Sequence, residues 1–125
     1  MKLEYTYLAG AMTGKRHHNY PKFFKYEKKL EHAGHKVINP ARLNSAGDNW
    51  ITCLRNDLKH IVTKCSTIAL LDDWHQSRGA RLELATALKL EMTVISAHTL
   101  KPLDITLVKK FLHRSKNGRT KRYHG

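Results

Sequence analysis

Four short apolar segments alternate with four longer amphipathic segments along this chain, and this alternation restricts the folds that it can adopt. The short segments, at residues 3–9, 35–39, 68–71 and 92–96, have the aliphatic, β-branched and aromatic composition of strands. Apolar residues with helical spacing follow each of them, at 21–33, 50–65, 78–90 and 103–112. Four strand–helix repeats of this kind predict a parallel sheet with right-handed crossovers.

The segment Ile68–Leu71 is apolar throughout, as in a central strand that is buried on both faces. We predict a single α/β domain at residues 1–112, an open sheet of four to five parallel strands with helices on both faces, flavodoxin- or Rossmann-like. Residues 41–48 are predicted to form a loop. Residues 113–125 are predicted to form a basic, flexible tail after the domain.

The chain has a formal net charge of +13, and much of this excess lies near the C-terminal end. Seven lysines and arginines follow Asp104, whereas no acidic residue follows it. Such an excess favours polyanionic or phosphorylated partners. The tail is compatible with weak association with nucleic acid, with a solubilising role and with a specific binding element.

Several classes of protein are disfavoured by the sequence. No run approaches the roughly 18 apolar residues of a membrane span, and the first residues lack the apolar centre of a signal peptide. We therefore expect a cytoplasmic protein that does not enter membranes. Cys53 and Cys65 do not form a Cys-x-x-Cys motif, and the nine histidines lack cysteine or carboxylate partners at ligand spacing. We expect reduced thiols and no metal or other cofactor.

One carboxylate, Glu83, lies in the second turn of the predicted helix at 78–90. No lysine or arginine lies three or four residues from it, so a helix-surface ion pair is not available. Its side chain should lean towards Gly79 and the end of the preceding strand, because helical Cβ atoms tilt towards the N-terminus. Ligands of open parallel sheets bind at that edge. Glu83 is therefore a candidate nucleophile or base, and the alternative is a solvated helix glutamate.

Three sequence motifs follow one another in an order that is typical of one superfamily. They are Tyr7-Leu8-Ala9-Gly10-Ala11-Met12-Thr13-Gly14, then Asn39-Pro40-Ala41, then Trp74-x-x-Ser77-x-Gly79-Ala80-Arg81-x-Glu83. Over residues 3–98 the chain resembles the nucleoside 2-deoxyribosyltransferase superfamily. Within it, the chain is similar to a small, often phage-encoded branch and to the 2′-deoxynucleoside 5′-phosphate N-hydrolases.

The resemblance implies cleavage of an N-glycosidic bond through a covalent glycosyl-enzyme, by hydrolysis or by transfer to a second base. Glu83 matches the nucleophile, Tyr7 matches the tyrosine that orients it, and Asp57 matches the aspartate that protonates or holds the base. Asp72 and Asp73 follow a strand at the same edge and are alternatives to Asp57. Without the resemblance, Asp57 and Tyr7 would be a helix-flank residue and a core aromatic.

The expected substrate depends on Ser77, six residues before Glu83. Superfamily members that act on unphosphorylated nucleosides have aspartate there, whereas the monophosphate N-hydrolases have serine, which does not repel phosphate. We therefore expect a nucleoside 5′-monophosphate, with Lys15 and Arg16 adding positive charge. The expected substrate-binding residues are Gly10, Met12, Asn39, Asp72, Asp73, Trp74, Ser77, Arg78, Gly79, Arg81 and Ser96.

Two other functions remain compatible with the sequence. One is a nucleotide-binding module without turnover, and the other is a basic protein that binds nucleic acid through its tail. The resemblance also implies a homodimer or a higher homo-oligomer. In such an assembly Ser96 or His98 would contribute to the site of a neighbouring subunit.

Overall fold

A parallel sheet of four strands forms the centre of residues 3–45 and 47–119, the part of the chain that the computed structural model describes, with the backbone alone at 114–119. The strands are β1 (Tyr5–Ala9), β2 (Lys36–Ile38), β3 (Cys65–Leu70) and β4 (Thr93–Ser96). Their order across the sheet is β2-β1-β3-β4, and all neighbouring pairs are parallel. The predicted α/β class with a parallel sheet is confirmed.

Helices cover both faces of the sheet. They are α1 (Tyr20–His32), α2 (Pro40–Leu43), α3 (Trp50–Lys64), α4 (Arg78–Lys89) and α5 (Ile105–Arg119). Successive strand residues point to opposite faces, so Tyr7 packs with Ile61 of α3 and Leu84 of α4, whereas Leu8 packs with Phe23 of α1. This two-sided core agrees with the prediction and leaves the strand ends open for a site.

Polar residues set the ends of the helices that border this edge. Asn49 Oδ1 accepts a hydrogen bond from Thr52 N–H at 2.8 Å at the start of α3. Ser77 Oγ accepts one from Ala80 N–H at 3.1 Å at the start of α4. Gly34 follows α1 with a φ of 98°, a left-handed conformation that glycine adopts without steric cost. The first turns of α3 and α4 are thereby fixed relative to the sheet.

Two predicted segments have different bounds in the structure. Residues 40–43 form α2 instead of belonging to a loop, because Asn39 Oδ1 accepts a hydrogen bond from Ala41 N–H at 2.9 Å and Pro40 suits a first helical turn. β3 begins at Cys65, directly after α3, and not at Ile68. Cys65 is a free thiol, and burial raises its pKa to about 12.

The buried face of α3 also differs from the apolar stripe that helical spacing predicts for it, which consists of Trp50 or Ile51, then Leu54, Leu58, Ile61, Val62 and Cys65. Ile51 and Val62 are 52% and 49% exposed, whereas Ile61 is fully buried. Asp57, which was predicted to lie beside the stripe, is 7% exposed and lies one turn before Ile61, on the same face of the helix. A carboxyl group therefore occupies a core position of α3.

The last helix, α5, runs through the predicted end of the domain at residue 112 and continues to Arg119. The predicted tail thus begins inside a helix, and its remainder, residues 120–125, lies outside the described residues. Among the helices in the described ranges, none is long and apolar enough to cross a membrane.

Candidate active site

A pocket of about 240 Å³ opens at the edge of the sheet where β1 and β2 end. Its walls come from the loop after β1, from the segment between β2 and the middle of α3, and from the start of α4. Its polar and aromatic lining includes Asp48, Asp57, Glu83, His18, Tyr20 and Trp50. Within residues 3–45 and 47–113, no three His, Cys, Asp or Glu side chains are grouped so that they could hold a metal ion.

Three polar side chains from separate elements meet at this pocket: Tyr7 from β1, Asp57 from α3 and Glu83 from α4. The Tyr7 hydroxyl donates a hydrogen bond to Glu83 Oε2 at 2.8 Å. The carboxyl groups of Asp57 and Glu83 both line the pocket and influence each other's pKa. All three side chains are buried. The structure thus brings together the three residues that we predicted to be catalytic.

The Asp57–Glu83 pair keeps a proton at a pH where an isolated carboxyl group would lose it. Burial raises the pKa of Glu83 well above its usual 4.5, the charge of Asp57 raises it further, and the Tyr7 hydroxyl lowers it. Burial also raises the pKa of Asp57, whereas hydrogen bonds with Glu83, Asn44 and Tyr7 lower it. Because two ionised carboxylates would repel each other here, Glu83 keeps its proton to a higher pH than an isolated glutamate does.

Tyr7 remains a hydrogen-bond donor at neutral pH. Burial raises the pKa of its hydroxyl well above 10.0, and the negative charge of Glu83 adds to this effect. A donor at this position stabilises the ionised form of Glu83 and so opposes the rise in its pKa that burial causes. Tyr7 therefore both orients Glu83 and favours its ionised form.

Asn44, which the sequence analysis missed, contacts Asp57 from the end of α2. Its Nδ2 donates a hydrogen bond to Asp57 Oδ1 at 2.9 Å. Asn56 Nδ2 in turn donates to Asn44 Oδ1 at 3.1 Å. No local signal distinguishes Asn44 from an ordinary turn residue, because its partner lies 13 residues further along the chain.

The first turn of α4 borders the pocket with Ser77 and Gly79. Ser77 Oγ bonds the Ala80 N–H, but the N–H groups of Arg78 and Gly79 have no partner within the helix. A Cβ atom added at Gly79 would lie 3.7 Å from Trp50 Nε1, so the indole nitrogen of Trp50 also lies beside the start of α4. The Arg78 guanidinium carbon lies 4.2 Å from the Trp50 ring centroid. These groups can accept an anion at this end of the pocket.

Gly10 and Met12, two of the predicted binding residues, also line the pocket. A Cβ on Gly10 would lie 2.6 Å from Leu71 Cδ1 and 3.0 Å from Leu71 Cβ, which leaves no room for a side chain. Glycine therefore allows the end of β1 to approach the residue that follows β3. This close approach fixes where the pocket loop begins.

Asp73 is predicted from sequence to bind substrate or to replace Asp57, but its carboxylate is used within the protein. Oδ1 accepts a hydrogen bond from Ala11 N–H at 3.0 Å. Oδ2 accepts hydrogen bonds from Asn19 Nδ2 and Lys22 Nζ, both at 3.1 Å. Asp73 therefore anchors the loop after β1 instead of lining the pocket.

Asp72 and Ser96, also predicted to bind substrate, lie away from the pocket. Asp72 Oδ1 is 2.6 Å from Lys22 Nζ and 3.6 Å from His98 Nε2, and its side chain is exposed. Ser96 Oγ accepts hydrogen bonds from the N–H groups of His98 and Thr99 at 3.0 and 3.2 Å. The reason is their place in the sheet, because Asp72 follows β3 and Ser96 ends β4, whereas the pocket lies where β1 and β2 end.

Three further predicted binding residues make contacts elsewhere. Asn39 caps α2, and its buried Nδ2 has no hydrogen-bond partner in the described structure. Trp74 is 8% exposed and belongs to the core on the α3–α4 side of the sheet. Arg81 Nη1 donates a hydrogen bond to the His75 carbonyl oxygen at 3.2 Å. None of the three belongs to the described pocket lining.

Lys15 and Arg16, which were expected to add positive charge to the site, do not belong to the pocket lining. Lys15 Nζ donates a hydrogen bond to Gln76 Oε1 at 3.0 Å, and Arg16 begins a short 3-10 turn that ends at Asn19. His18, in this turn and with a φ of 54°, lines the pocket instead. Left-handed backbone at this histidine has no signal in the sequence, since glycine and asparagine are the residues that usually adopt it.

Comparison with known families gives a match over most of the chain. The family described as Domain of unknown function (DUF4406) matches residues 4–96, which is 93 of the 125 residues. The matched range includes all four strands and the residues Tyr7, Asp57 and Glu83. Among curated proteins, no match to this chain is found.

Proposed function

We propose that this chain, which belongs to the DUF4406 family, cleaves the N-glycosidic bond of a ribo- or deoxyribonucleoside 5′-monophosphate through a covalent intermediate on Glu83. The observation that carries the proposal is the 2.8 Å hydrogen bond from Tyr7 to Glu83, beside the carboxyl group of Asp57 at a pocket. A nucleophilic carboxylate with a second carboxyl group beside it has the parts of a retaining glycosidase site.

In the first step, ionised Glu83 attacks C1′ of the sugar, and the bond between C1′ and the base nitrogen breaks. Asp57 donates its proton to the departing base. The product is a glycosyl ester of Glu83 and a free base. This division of roles requires the singly protonated pair with its proton on Asp57, so that Glu83 is ionised when it attacks.

In the second step, Asp57, which is now ionised, accepts a proton from water as the water oxygen attacks C1′. The bond between C1′ and Glu83 breaks, and Glu83 leaves as a carboxylate. A second base in the place of water gives transfer instead of hydrolysis. Both routes return Asp57 to its protonated form.

A phosphorylated substrate is supported by the start of α4. Glu83 lies six residues beyond Ser77, a rise of about 9 Å along the helix. The Ser77 hydroxyl and the N–H groups of the first turn would bind the 5′-phosphate while C1′ lies against Glu83. Arg78, which is outside the pocket lining but stacks on the pocket residue Trp50, would add positive charge nearby. A carboxylate in place of Ser77 would repel this phosphate.

The proposal also includes a cytoplasmic location, assembly as a homodimer or higher homo-oligomer, and weak binding of nucleic acid through the basic C-terminal residues. The net charge of +13 supports phosphorylated or polyanionic partners. Light scattering measures the assembly. The dependence of DNA binding on salt concentration, with and without the residues after Leu112, measures the contribution of the C-terminal residues.

Glu83→Gln tests the proposed reaction. Nucleoside 5′-monophosphates and nucleosides, each with and without an acceptor base, are incubated with the protein, and free base is measured by chromatography. We expect the wild type to release base from monophosphates, and Glu83→Gln to release it at least about a thousandfold more slowly. Glu31→Gln, at an exposed position of α1, is the matched control and should keep the wild-type rate.

The outcomes separate the alternatives. Unchanged release by Glu83→Gln would remove this glutamate from the reaction. Nucleotide binding by calorimetry, with no base released over a long incubation, would support a non-catalytic binding module instead. Nucleosides that are cleaved as fast as monophosphates would remove the phosphate site at the start of α4.

A further inference from the structure

Two asparagines connect Asp57 to the main chain of α2 through a continuous series of hydrogen bonds. Asn44 Nδ2 donates to Asp57 Oδ1 at 2.9 Å and to the Pro40 carbonyl oxygen at 3.4 Å. Asn56 Nδ2 donates to Asn44 Oδ1 at 3.1 Å and to the Leu43 carbonyl oxygen at 3.2 Å. The series ends on one oxygen of the Asp57 carboxyl group.

The direction of these hydrogen bonds is fixed by the two main-chain carbonyl groups, which can only accept. Asn56 must turn its amide nitrogen towards the Leu43 carbonyl, and the same nitrogen then faces Asn44 Oδ1. Asn44 must therefore turn its own nitrogen towards Pro40 and Asp57. An N–H donor consequently faces Asp57 Oδ1, and the opposite orientation would break every bond in the series.

We propose that Asn44, oriented by Asn56, is a positioning residue that holds Asp57 as the acid of the reaction. This inference rests on the function proposed for the site. An N–H donor on Oδ1 disfavours a proton there, so Oδ2 is the oxygen that carries the proton to the base. The same bond restrains rotation of the carboxyl group and keeps Oδ2 in one place.

The Asn44 donor also makes Asp57 a stronger acid, because a hydrogen bond to the ionised form of a carboxyl group lowers its pKa. The titratable groups that face Asp57 are Tyr7 of β1, Glu83 of α4, and Cys53 and His60 of α3 itself. Asn44 differs from all of these because it does not ionise. Its removal therefore changes the acidity of Asp57 without removing a charge.

Three variants separate positioning from a general loss of stability. Asn44→Ala removes the donor at Asp57. Asn56→Ala removes the amide that orients Asn44, and it does so outside the pocket lining. Asn49→Ala is the matched control, because Asn49 caps the same helix, α3, through Thr52.

The first readout is the pKa of Asp57 in the free protein, from the pH titration of its carboxyl carbon NMR signal. We expect this pKa to rise by about one unit in Asn44→Ala, by less in Asn56→Ala and not at all in Asn49→Ala. The second readout is base release. In Asn44→Ala, kcat/KM should fall about tenfold or more, and its alkaline limb should move to higher pH.

An unshifted Asp57 titration in both Asn44→Ala and Asn56→Ala would overturn the positioning role. If Asn44→Ala does not fold, the titration in Asn56→Ala decides the question. If the pH profile of Asn49→Ala shifts like that of Asn44→Ala, the effect comes from the stability of α3, and the proposal is overturned. A wild type that releases no base would refute the proposed function, while the titration would still decide whether Asn44 controls Asp57.

Discussion

Two pairs of carboxyl groups lie near the strand ends of this protein, in contrasting surroundings. Asp72 and Asp73 follow β3, and both accept hydrogen bonds from Lys22 Nζ, at 2.6 and 3.1 Å. Asp57 and Glu83 line the pocket, and each influences the pKa of the other. A lysine therefore compensates the charge of the first pair, whereas the buried carboxyl groups of the second pair raise the cost of ionising Glu83.

This contrast shifts the acidities of Asp72 and Glu83 in opposite directions. The hydrogen bond from Lys22 lowers the pKa of Asp72, so this carboxyl group stays ionised at neutral pH. Burial raises the pKa of Glu83 well above 4.5, and the charge of Asp57 adds to the rise. A carboxyl group of the second kind keeps its proton to a higher pH than an exposed one and can take part in acid–base chemistry. Proximity to a strand end does not decide the role of an acidic residue, whereas its partner does.

The largest change in stability is expected when the lysine-bound pair is broken at Asp73. Asp73→Ala leaves Ala11 N–H and Asn19 Nδ2 without their acceptor and leaves Lys22 with Asp72 alone. Because Asp73 is only 8% exposed, we expect the free energy of unfolding to fall by about 3 kcal/mol. Urea unfolding at neutral pH measures this change.

Asp73→Asn is the graded control for this variant. Its Oδ1 can still accept the hydrogen bond from Ala11 N–H, but its amide nitrogen faces the donors of Asn19 and Lys22. We therefore expect an intermediate loss of stability. A loss below about 1 kcal/mol in Asp73→Ala would contradict its role as the anchor of the pocket loop.

Sequence periodicity predicted the bounds of several strands and helices, but it missed α2 and the end of α5. The predicted bounds of β1, α1, α4 and β4 lie within two residues of the observed bounds. Each helix has one buried face and repeats its apolar residues at the helical period, whereas the strands are covered on both faces and appear as short, mostly apolar segments. Helix α2 was missed because Pro40–Leu43 is too short to show a period. The residues of α5 after Leu112 are mostly polar or basic, so no apolar repeat marks its continuation.

Site residues could be predicted from the residues themselves only where they lie in a local sequence motif. Tyr7 and Glu83 lie in motifs at strand ends, whereas the burial of Asp57 depends on how α3 packs, which no local pattern describes. Asn44 was missed because it acts through a contact between a loop and a helix. Asp73 was assigned to the pocket because its lysine partner lies 51 residues away and cannot be inferred from neighbouring positions.

A smaller change in the free energy of unfolding, of opposite sign, is expected at Glu83 of the buried Asp57–Glu83 pair. The folded-state pKa of Glu83 is raised, so the folded protein binds more protons than the unfolded chain at pH values between 4.5 and that pKa. Its stability therefore falls as the pH rises through this window. Glu83→Gln removes the ionisation, so we expect the variant to be about 1 to 2 kcal/mol more stable than the wild type near pH 8, with little difference near about pH 4.

Urea unfolding of both proteins at about pH 4, 6 and 8 measures this difference. Glu31→Gln, at an exposed position, is the control and should show a small difference that does not change with pH. A loss of stability in Glu83→Gln near pH 8 would contradict the idea that burying this carboxyl group is costly. Greater stability combined with lost base release would indicate a site that is maintained at the expense of stability.

The smallest change is expected at Asp72, the exposed member of the lysine-bound pair. Its side chain is 69% exposed, so solvent screens its ion pair with Lys22. Because Lys22 lowers the pKa of Asp72, the stability that this pair provides is present at neutral pH and is lost as the pH falls through the folded-state pKa. Asp72→Asn should therefore lower the free energy of unfolding by less than about 0.5 kcal/mol near pH 7 and leave it unchanged near pH 2. If urea unfolding gives a loss as large as that of Asp73→Ala, the two carboxylates act on Lys22 as one unit, and burial does not separate their roles.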